Sequence, residues 1–387
     1  MRLIHTSDWH LGRRLHGQDL LDAQAHFLEW LVELARVERA DAVLVSGDVY
    51  DRAQPGADAV ALMDRTLASF AAAGIRLVLS SGNHDSAVRL QYGGAVLTQA
   101  GIHLRTEAAH ADEPVLLADD AGPVAVYGIP YVLPDAVLNE LGVERSHASV
   151  LACLAERVRA DAERRGISRV VVMAHAFATG AAASGSEREI RVGGVGDTPA
   201  NVFEGFAYVA LGHLHGAQDV PLTGSSTVLA YSGSPLAFSF SERDQVKSVA
   251  IVDIDAGGGA SRRLVPAPVP RPLRQVTGRL ADLLVRAEKD LSDLATAWVK
   301  VVLTDPGRVV SPMEQLRAHW PHTLVLEFAP ERDSEGPMPL LTATEASDPV
   351  EVCAGFVAEV SGARPTEVHL ETLRAAVLEV QKAQVSA

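Results

Sequence analysis

The chain has 387 residues, of which 48% are hydrophobic and 21% charged, so it is long enough for two folded domains and too apolar to be disordered. It contains no run of about 18 uncharged apolar residues, so no membrane span is predicted. The formal net charge of −15 argues against a protein that coats nucleic acid by bulk electrostatics, but it leaves open an enzyme that cuts nucleic acid at a local site.

The N-terminal residues and the two cysteines favour a cytoplasmic protein. Residues 1–8 lack the apolar core and the cleavage site of a signal peptide. Cys153 and Cys353 lie far apart with no pairing pattern, as expected for a chain in a reducing compartment. We therefore expect a cytoplasmic location.

The first 85 residues have the pattern of a parallel α/β fold. Apolar runs predict strands at 2–7, 42–46 and 75–81, and helical spacing predicts helices at 19–37 and 57–73. In such folds the active site forms where the strands end, at the carboxyl edge of the sheet.

Polar side chains of the kind that bind metal ions follow each of these three strands. They are Asp8 and His10 after the first strand, Asp48 and Asp51 after the second, and Asn83 and His84 after the third. Asp8 and His10 point to the same side of an extended segment, because side chains alternate with a period of two. Asp48 is placed like a bridging carboxylate, whereas Asp51 is better suited to orienting a histidine.

The same arrangement returns later in the chain. Strand patterns at 124–131, 168–174 and 206–211 surround a predicted helix at 147–165. The second of these strands leads to His175, and the third leads to His213 and His215. Five strand ends therefore carry metal-type ligands.

Two other segments complete this part of the chain. The loop 178–200, rich in Gly, Ala and Ser, is a candidate for substrate contact. Segments 227–231 and 248–255 have strand patterns, and we expect them to pair with each other.

The composition changes after residue 265. A proline-rich stretch at 266–272 predicts a stiff linker, and 273–330 alternates strands with helices, one of them at 280–294, as in a small α+β domain. A polar linker is predicted at 331–349, and helices at 350–360 and 366–384. The last helix has two interpretations, a packed end of the second domain or a helix that docks on a partner, and the preceding polar stretch favours docking. The predicted domains are thus 1–265, 273–335 and 350–387.

The collected ligands predict a site for two divalent cations. They are Asp8, His10, Asp48, Asn83, His175, His213 and His215. If Asp48 bridges two ions about 3.5–4 Å apart, the other six divide three and three. Mixed oxygen and imidazole ligation suits Mn²⁺, Fe²⁺ or Zn²⁺ better than Ca²⁺ or Mg²⁺.

Such a site predicts hydrolysis of a phosphate ester. Paired ions provide an activated water and neutralise phosphoryl oxygens, and the leaving oxygen then needs a proton. His84 is the predicted proton donor, and Asp51 is placed to hold its imidazole. Arg52 is a candidate ligand for a substrate oxygen, with an exposed structural arginine as the equal alternative.

The ordered motifs resemble those of the calcineurin-like metallophosphoesterase superfamily. They are Asp8-x-His10, Gly47-Asp48-x-x-Asp51, Gly82-Asn83-His84-Asp85, Ala174-His175 and Gly212-His213-x-His215. Further segments are similar to the SbcD nucleases, the bacterial double-strand-break repair enzymes that work with the ATPase SbcC. These are residues 3–12, Ser186-Glu187-Arg188, residues 208–215 and Tyr231-x-Gly233-Ser234-Pro235.

This resemblance implies an architecture and a division of the ligands. The expected fold is a four-layer αββα sandwich with a small DNA-capping domain after the linker and C-terminal helices that dock on the coiled coil of SbcC. One ion is expected to take Asp8, His10, Asp48 and His215. The other is expected to take Asp48, Asn83, His175 and His213, with His84 as proton donor.

The resemblance also implies an activity and an assembly. We expect 3′→5′ exonuclease activity on double-stranded DNA and endonuclease cutting of single strands and hairpins, stimulated by ATP, with Mn²⁺ as the favoured ion. A homodimer within a heterotetramer with SbcC is expected, formed through the helix at 19–37 or at 57–73.

Two other functions fit the same residues. A metallophosphoesterase acting on a phosphoprotein or small phosphodiester shares the core, and the acidic net charge mildly favours it. A non-catalytic scaffold that retains the fold is the third hypothesis, against which the intact ligand set argues.

Overall fold

The computed structural model describes residues 1–184, 187, 197–329, 348–361 and 364–385, with side chains left out at 359–361 and 381–385. In chain order its strands are β1 (Arg2–Thr6), β2 (Arg14–Leu15), β3 (Gln18–Asp19), β4 (Ala42–Ser46), β5 (Arg76–Ser80), β6 (Ile102–Arg105), β7 (Val115–Asp119), β8 (Gly122–Ile129), β9 (Val170–His175), β10 (Tyr208–Gly212), β11 (Gln218–Asp219), β12 (Val228–Tyr231), β13 (Ser248–Ile254), β14 (Ala260–Pro266), β15 (Leu273–Gly278), β16 (Trp298–Leu303) and β17 (Thr323–Phe328).

The three helices predicted in the first 265 residues are present, together with three shorter ones that were not predicted. They are α1 (Leu21–Val37), α2 (Ala57–Ala73), α3 (Ala87–Leu90), α4 (Gly94–Leu97), α5 (Pro134–Leu141), α6 (His147–Arg165), α7 (Leu280–Ala287), α8 (Pro312–His319), α9 (Pro349–Ser361) and α10 (Glu367–Val385). The predictions for 57–73 and 147–165 are confirmed at both ends. The latter helix begins at a serine cap, where the Ser146 hydroxyl accepts from the Ser149 N–H at 3.0 Å.

Two six-stranded sheets form the larger part of the structure. The first has the order β14-β13-β1-β4-β5-β6 and the second β11-β12-β10-β9-β8-β7. In the first sheet β1, β4, β5 and β6 are parallel, and the antiparallel strands β13 and β14 lie at one side. In the second sheet β12, β10, β9 and β8 are parallel, and the antiparallel strands β11 and β7 form its two edges. Every residue of β4 is buried, which is typical of a parallel strand covered on both faces.

An apolar layer lies between the two sheets. Leu3, Leu44 and Val78 from the first sheet belong to one buried cluster with Val171 and Tyr208 from the second. Burial of each such side chain contributes about 1.5–3 kcal/mol, so this layer is a main source of stability.

Helices cover the outer faces of both sheets. Phe27 of α1 and Phe70 of α2 belong to a buried cluster with Val43 of the first sheet. Leu154 of α6 belongs to another with Val172 of the second sheet. The layers are therefore helix, sheet, sheet, helix, and the predicted four-layer αββα fold is confirmed.

Some predicted elements were wrong. The strands predicted at 227–231 and 248–255 do not pair, because β12 lies beside β10 and β11 in the second sheet, whereas β13 lies between β1 and β14 in the first. Both are apolar runs, and nothing in such a run specifies which sheet it joins. The helix predicted at 280–294 ends at Ala287 and is followed by a separate 3₁₀ turn at Ser292–Thr296.

The chain divides into two compact units. The larger contains Met1–Gln275, Ser292–Lys300 and Trp320–Val325, and the smaller contains Val276–Leu291, Val301–His319 and Leu326–Ala387. The C-terminal part of the chain has a three-stranded sheet in the order β15-β16-β17. The predicted domain boundaries stay a prediction, and nearly all of the predicted linker at 331–349 lies outside the described residues.

The described part of the chain shows neither a membrane-spanning helix nor a disulfide. Among the described helices, none is both long and apolar enough to cross a bilayer. Cys153 and Cys353 are free and half-buried.

Candidate active site

The carboxyl ends of strands from both sheets meet at one place, and the predicted ligands lie there. Asp8 and His10 follow β1, Asp48 follows β4, Asn83 follows β5, His175 ends β9, and His213 and His215 follow β10. All of them are buried except the half-buried Asn83. The structure therefore brings the seven predicted ligands together in one cluster.

One group of ligand atoms is formed by Asp8, His10 and His215, which lie within 4.8 Å of one another. Nε2 of His10 is 3.2 Å from Nε2 of His215. The Asp8 carboxylate is oriented by Ser7, whose hydroxyl donates to it at 2.5 Å, and by the main-chain N–H of His213 at 3.0 Å. One end of the cluster thus has two imidazoles and one carboxylate.

A second group lies on the other side of Asp48. Ligand atoms of Asp8, Asp48 and His175 also lie within 4.8 Å of one another. Oδ2 of Asp48 is 3.6 Å from Nε2 of His10 and 3.5 Å from Nε2 of His175. The carboxylate of Asp48 therefore lies close to an imidazole of each group, as a bridging ligand would, and Asp8 belongs to both groups.

The atoms of this second group fit a cation. Nδ1 of His175 donates to the main-chain oxygen of Ser46 at 2.9 Å, so a neutral imidazole carries its lone pair on Nε2. That atom faces Oδ1 of Asn83 at 2.9 Å, and the same oxygen is 3.3 Å from Nδ1 of His213. Two electron-rich atoms so close together are stabilised by a divalent cation that both can bind.

Backbone strain concentrates at the same residues. Asp8, His10, Asp48 and His213 have φ values of 53°, 44°, 50° and 108°. They are four of the seven non-glycine residues with positive φ in the part of the chain that the structure describes. Such conformations cost about 1–3 kcal/mol each and cluster at functional sites.

Two glycines of the motifs have a steric role. A Cβ atom on Gly82 would overlap the carboxylate of Asp48, and one on Gly212 would overlap the main-chain oxygen of Ser46. The loops that carry Asn83 and His213 can approach the end of β4 only because these positions have no side chain.

The burial of the cluster shifts its titration. Burial raises the pKa of Asp8 to about 6 and raises the pKa of Asp48 well above its ordinary value. Burial also lowers the pKa of His175 to about 3, so that this imidazole is neutral at pH 7. Neutral imidazoles are the form that binds metal, and a divalent cation would favour the ionised carboxylates.

His84, the predicted proton donor, lies at the edge of this cluster. Its main-chain N–H donates to Oδ1 of Asp48 at 2.8 Å, and its Nδ1 donates to the main-chain oxygen of Asp51 at 2.8 Å. Nε2 of His84 is 4.0 Å from Oδ2 of Asp48. The ring therefore has one nitrogen fixed by the protein and the other directed at the ligand cluster.

Asp51 lies where the motif predicts, but it is its main-chain oxygen that accepts the hydrogen bond from the His84 ring. The carboxylate lies 3.7 Å from Nδ1 of His10, 3.5 Å from Arg13 and 3.6 Å from Arg52. Arg52 is 83% exposed, whereas Arg13 is only 17% exposed and stacks on the ring of Phe238 at 4.9 Å. Arg13 is a cationic neighbour of the site that the sequence reasoning missed.

Asp85 also went unassigned, although it ends the Gly82-Asn83-His84-Asp85 motif. Its carboxylate accepts hydrogen bonds from the N–H groups of Val49 at 3.1 Å, Tyr50 at 2.9 Å and Gly82 at 2.9 Å. Asp85 thus ties the loop after β4 to the loop after β5. Its position in the motif was the available signal.

The loop predicted to contact substrate is described only in part. Glu187 accepts hydrogen bonds from the His215 N–H at 3.0 Å and from the Ser184 hydroxyl at 2.7 Å. Ser186, Arg188 and the rest of 185–196 lie outside the described residues. Glu187 therefore ties the start of this loop to the ligand cluster.

Two family models match the chain. Residues 1–217 match the calcineurin-like phosphoesterases, and residues 269–361 match the type 5 capsule protein repressor C-terminal domain, SbcD_C. The first match contains all seven candidate ligands and His84. The fold and the site therefore define a phosphoesterase, a class of hydrolases.

Curated relatives narrow the assignment. The SbcD subunit of the SbcCD nuclease of Staphylococcus saprophyticus is 31% identical over 334 residues, which cover 84% of this chain and 84% of the relative. Its counterpart in Staphylococcus epidermidis is 28% identical over 330 residues, covering 84% and 85%. The chain belongs to the SbcD nuclease family of the calcineurin-like phosphoesterases, as its motifs predicted.

A solved structure gives a more distant match. A protein of Thermus thermophilus aligns with a TM-score of 0.40 at 13% identity, over 68% of this chain and 98% of that one. This likeness carries no part of the assignment, which depends on the family models and the curated relatives.

Proposed function

We propose that this chain is the nuclease subunit of a DNA-break-processing complex and hydrolyses phosphodiester bonds with two Mn²⁺ ions. The proposed activities are 3′→5′ exonuclease cutting of double-stranded DNA and endonuclease cutting of single strands and hairpins. The observation that carries the proposal is the Asp48 carboxylate, which lies within 3.6 Å of imidazole nitrogens on both sides. Family membership supports the choice of substrate.

The chain's own residues have distinct tasks in this reaction. We assign Asp8, His10, Asp48 and His215 to one ion and Asp48, Asn83, His175 and His213 to the other. When bound, the ions supply an activated water and offset the negative charge of the phosphate. As the water oxygen bonds to phosphorus and the ester bond breaks, Nε2 of His84 donates a proton to the leaving oxygen. Asp51 holds the His84 ring through its main-chain oxygen.

The substrate's phosphates need cationic partners close to this site. Arg52 is the proposed ligand of a phosphate oxygen, because its side chain is 83% exposed and its Nε lies 3.6 Å from Asp51 beside the ligand cluster. The net charge of −15 restricts DNA binding to local contacts or to a basic partner. Residues 273–335 are the proposed DNA-capping domain, after the nuclease domain at 1–265.

An ATPase of the SbcC type is the proposed partner. The C-terminal helices at 350–387 carry the exposed apolar side chains Phe356, Val368, Leu378 and Val380. An apolar helix surface is suited to packing against the coiled coil of such a partner. We propose a cytoplasmic heterotetramer built on a homodimer of this chain.

A nuclease assay tests the proposal. Hairpin DNA labelled at one end is incubated with the protein, with and without Mn²⁺ and with and without the ATPase. Cleavage that requires Mn²⁺ is the expected result, and DNA that stays intact under all four conditions contradicts it. The second candidate, hydrolysis of a non-DNA phosphate ester, is favoured by the acidic net charge and is tested by a screen of cyclic nucleotides and phosphopeptides.

A further inference from the structure

Two charged side chains outside the family motifs, Glu242 and Lys247, contact the candidate ligand His215 on the side away from the ligand cluster. Its Nδ1 lies 3.1 Å from Oε1 of Glu242, and its main-chain oxygen accepts from Nζ of Lys247 at 3.0 Å. Glu242 is 0% exposed and Lys247 is 4% exposed. Two opposite charges are therefore buried directly behind one ligand.

The lysine is fully engaged in this pocket. Its ammonium group forms an ion pair with Glu242 and also donates to Oγ of Ser234 at 2.9 Å and to Oε1 of Gln245 at 2.8 Å. A buried ion pair is expensive to desolvate, so its packing against a ligand calls for a role beyond stability.

The two ends of the ligand cluster differ in how their histidines are fixed. Nδ1 of His175 donates to a main-chain oxygen, that of Ser46, which the fold itself holds in place. Nδ1 of His215 has a side-chain acceptor instead, carried by a loop 27 residues away in sequence. An ionised carboxylate can only accept, so the hydrogen lies on Nδ1 of His215 and the neutral ring carries its lone pair on Nε2.

Other parts of the same loop also line this end of the cluster. The ring of Phe238 contacts the ring of His10 edge-on at 5.2 Å and that of His215 at 5.5 Å. The segment from Phe238 to Lys247 therefore forms the wall behind the Asp8, His10 and His215 group.

We propose that Glu242 is a positioning residue for the divalent ion that His215 binds. The Glu242 oxygen fixes the tautomer and orientation of the imidazole, and Lys247 supplies the counter-charge that a buried carboxylate needs. The inference rests on the proposed metal centre and adds that only one of its two ions depends on this acceptor.

Mn²⁺ binding to double variants tests the proposal, because removing one partner alone would leave an unpaired buried charge. Glu242→Gln/Lys247→Met removes both charges and keeps an accepting oxygen for His215. Glu242→Ala/Lys247→Met removes the acceptor as well. Titration calorimetry should find two Mn²⁺ ions bound with wild-type affinity in the wild type and in the first variant. In the second variant the affinity for one of the two ions should fall roughly 10–100-fold.

Electron paramagnetic resonance gives a second readout, which reports directly whether two Mn²⁺ ions are bound next to each other. The wild type and the Gln/Met variant should show the spectrum of a coupled Mn²⁺ pair, and the Ala/Met variant that of an isolated ion. Asp244→Ala is the matched control, because Asp244 lies in the same loop but is 82% exposed. The Asp244→Ala variant should bind two Mn²⁺ ions with wild-type affinity.

The outcomes separate this inference from the proposed function. Two ions bound at wild-type affinity by the Ala/Met variant would overturn the inference alone, as would equal losses in both double variants. Fewer than two ions in the wild type would overturn the proposed metal centre together with it. If melting of the metal-free Ala/Met variant shows that it does not fold, Glu242→Asp, which shortens the acceptor by one methylene, must show the same loss of one ion.

Discussion

The main-chain oxygen of Asp51 accepts a hydrogen bond from Nδ1 of His84 at 2.8 Å. Because this acceptor belongs to the backbone, no substitution at position 51 removes it while the loop keeps its path. The ring of His84 is thereby held with Nε2 directed at the ligand cluster. A proton on Nε2 is then available to a leaving oxygen in the site.

Replacement of His84 by alanine tests this role. We expect His84→Ala to lower phosphodiester cleavage by roughly 10²–10⁴-fold, the usual effect of losing a general acid. The fold and the binding of two Mn²⁺ ions should persist, since His84 is assigned to neither ion. Cleavage rates and calorimetric Mn²⁺ titrations of the same preparation measure both effects. Asp48→Ala is the contrasting variant, expected to lose metal and activity together, and full activity in His84→Ala would reassign the proton donor.

The carboxylate of Asp51 has a separate predicted effect. It lies 3.7 Å from Nδ1 of His10 and 3.5 Å from Arg13. Asp51→Asn removes the negative charge that attracts both side chains and therefore loosens His10, a candidate metal ligand. We expect roughly a 10-fold loss in metal affinity, as for other residues that orient ligands. The pH profile of cleavage should keep its shape, because the backbone bond to His84 remains. A loss as large as that of His84→Ala, with an altered pH profile, would show that the carboxylate governs the proton donor.

Much of the site follows from sequence because its ligands come directly after strong apolar runs. Asp48 follows β4 and His175 ends β9, and both runs are buried on all sides. Parallel strands present their carboxyl ends at one edge of a sheet, so residues far apart in sequence were expected to meet.

Other features depend on tertiary neighbours that no local pattern specifies. Glu242 lies in a short 3₁₀ turn without periodicity and reaches His215 only in the folded chain. The apolar runs of β12 and β13 look alike in sequence, yet they join different sheets. Likewise, the sequence motifs predicted that Asp51 lies near His84, but they could not show that the main-chain oxygen of Asp51 accepts the hydrogen bond from the His84 ring.

Metal binding should release protons in weakly acidic solution. Burial raises the pKa of Asp8 to about 6 and that of Asp48 well above its ordinary value, so near pH 6 these carboxyl groups hold protons in the metal-free protein. A divalent ion binds the ionised form, so Mn²⁺ must displace them and its affinity must fall as the pH is lowered from 7 to 5. His175 adds nothing here, because its pKa of about 3 leaves it neutral throughout.

Calorimetry at pH 6 in two buffers of different ionisation enthalpy counts these protons. We expect a release of about one proton or more per chain on saturation with Mn²⁺. Asp8→Asn, which removes one titrating carboxyl group, should release fewer protons for each Mn²⁺ ion that it binds. Identical heats in the two buffers would contradict the prediction.

We expect the proposed homodimer to form through α2 rather than through α1. Val60 of α2 is 45% exposed, and Val88 of α3, Tyr92 in the turn after it and Val96 of α4 are 72–88% exposed. A charge placed in an apolar interface must be desolvated without a partner, which opposes association. Val60→Glu and Tyr92→Glu should therefore shift the protein to a monomer in light scattering coupled to size exclusion, with unchanged circular dichroism. Val37→Glu on α1, where the residue is 65% exposed, is the matched control and should leave the dimer intact. Dissociation by Val37→Glu alone would place the interface on α1, and a monomeric wild type would overturn the homodimer.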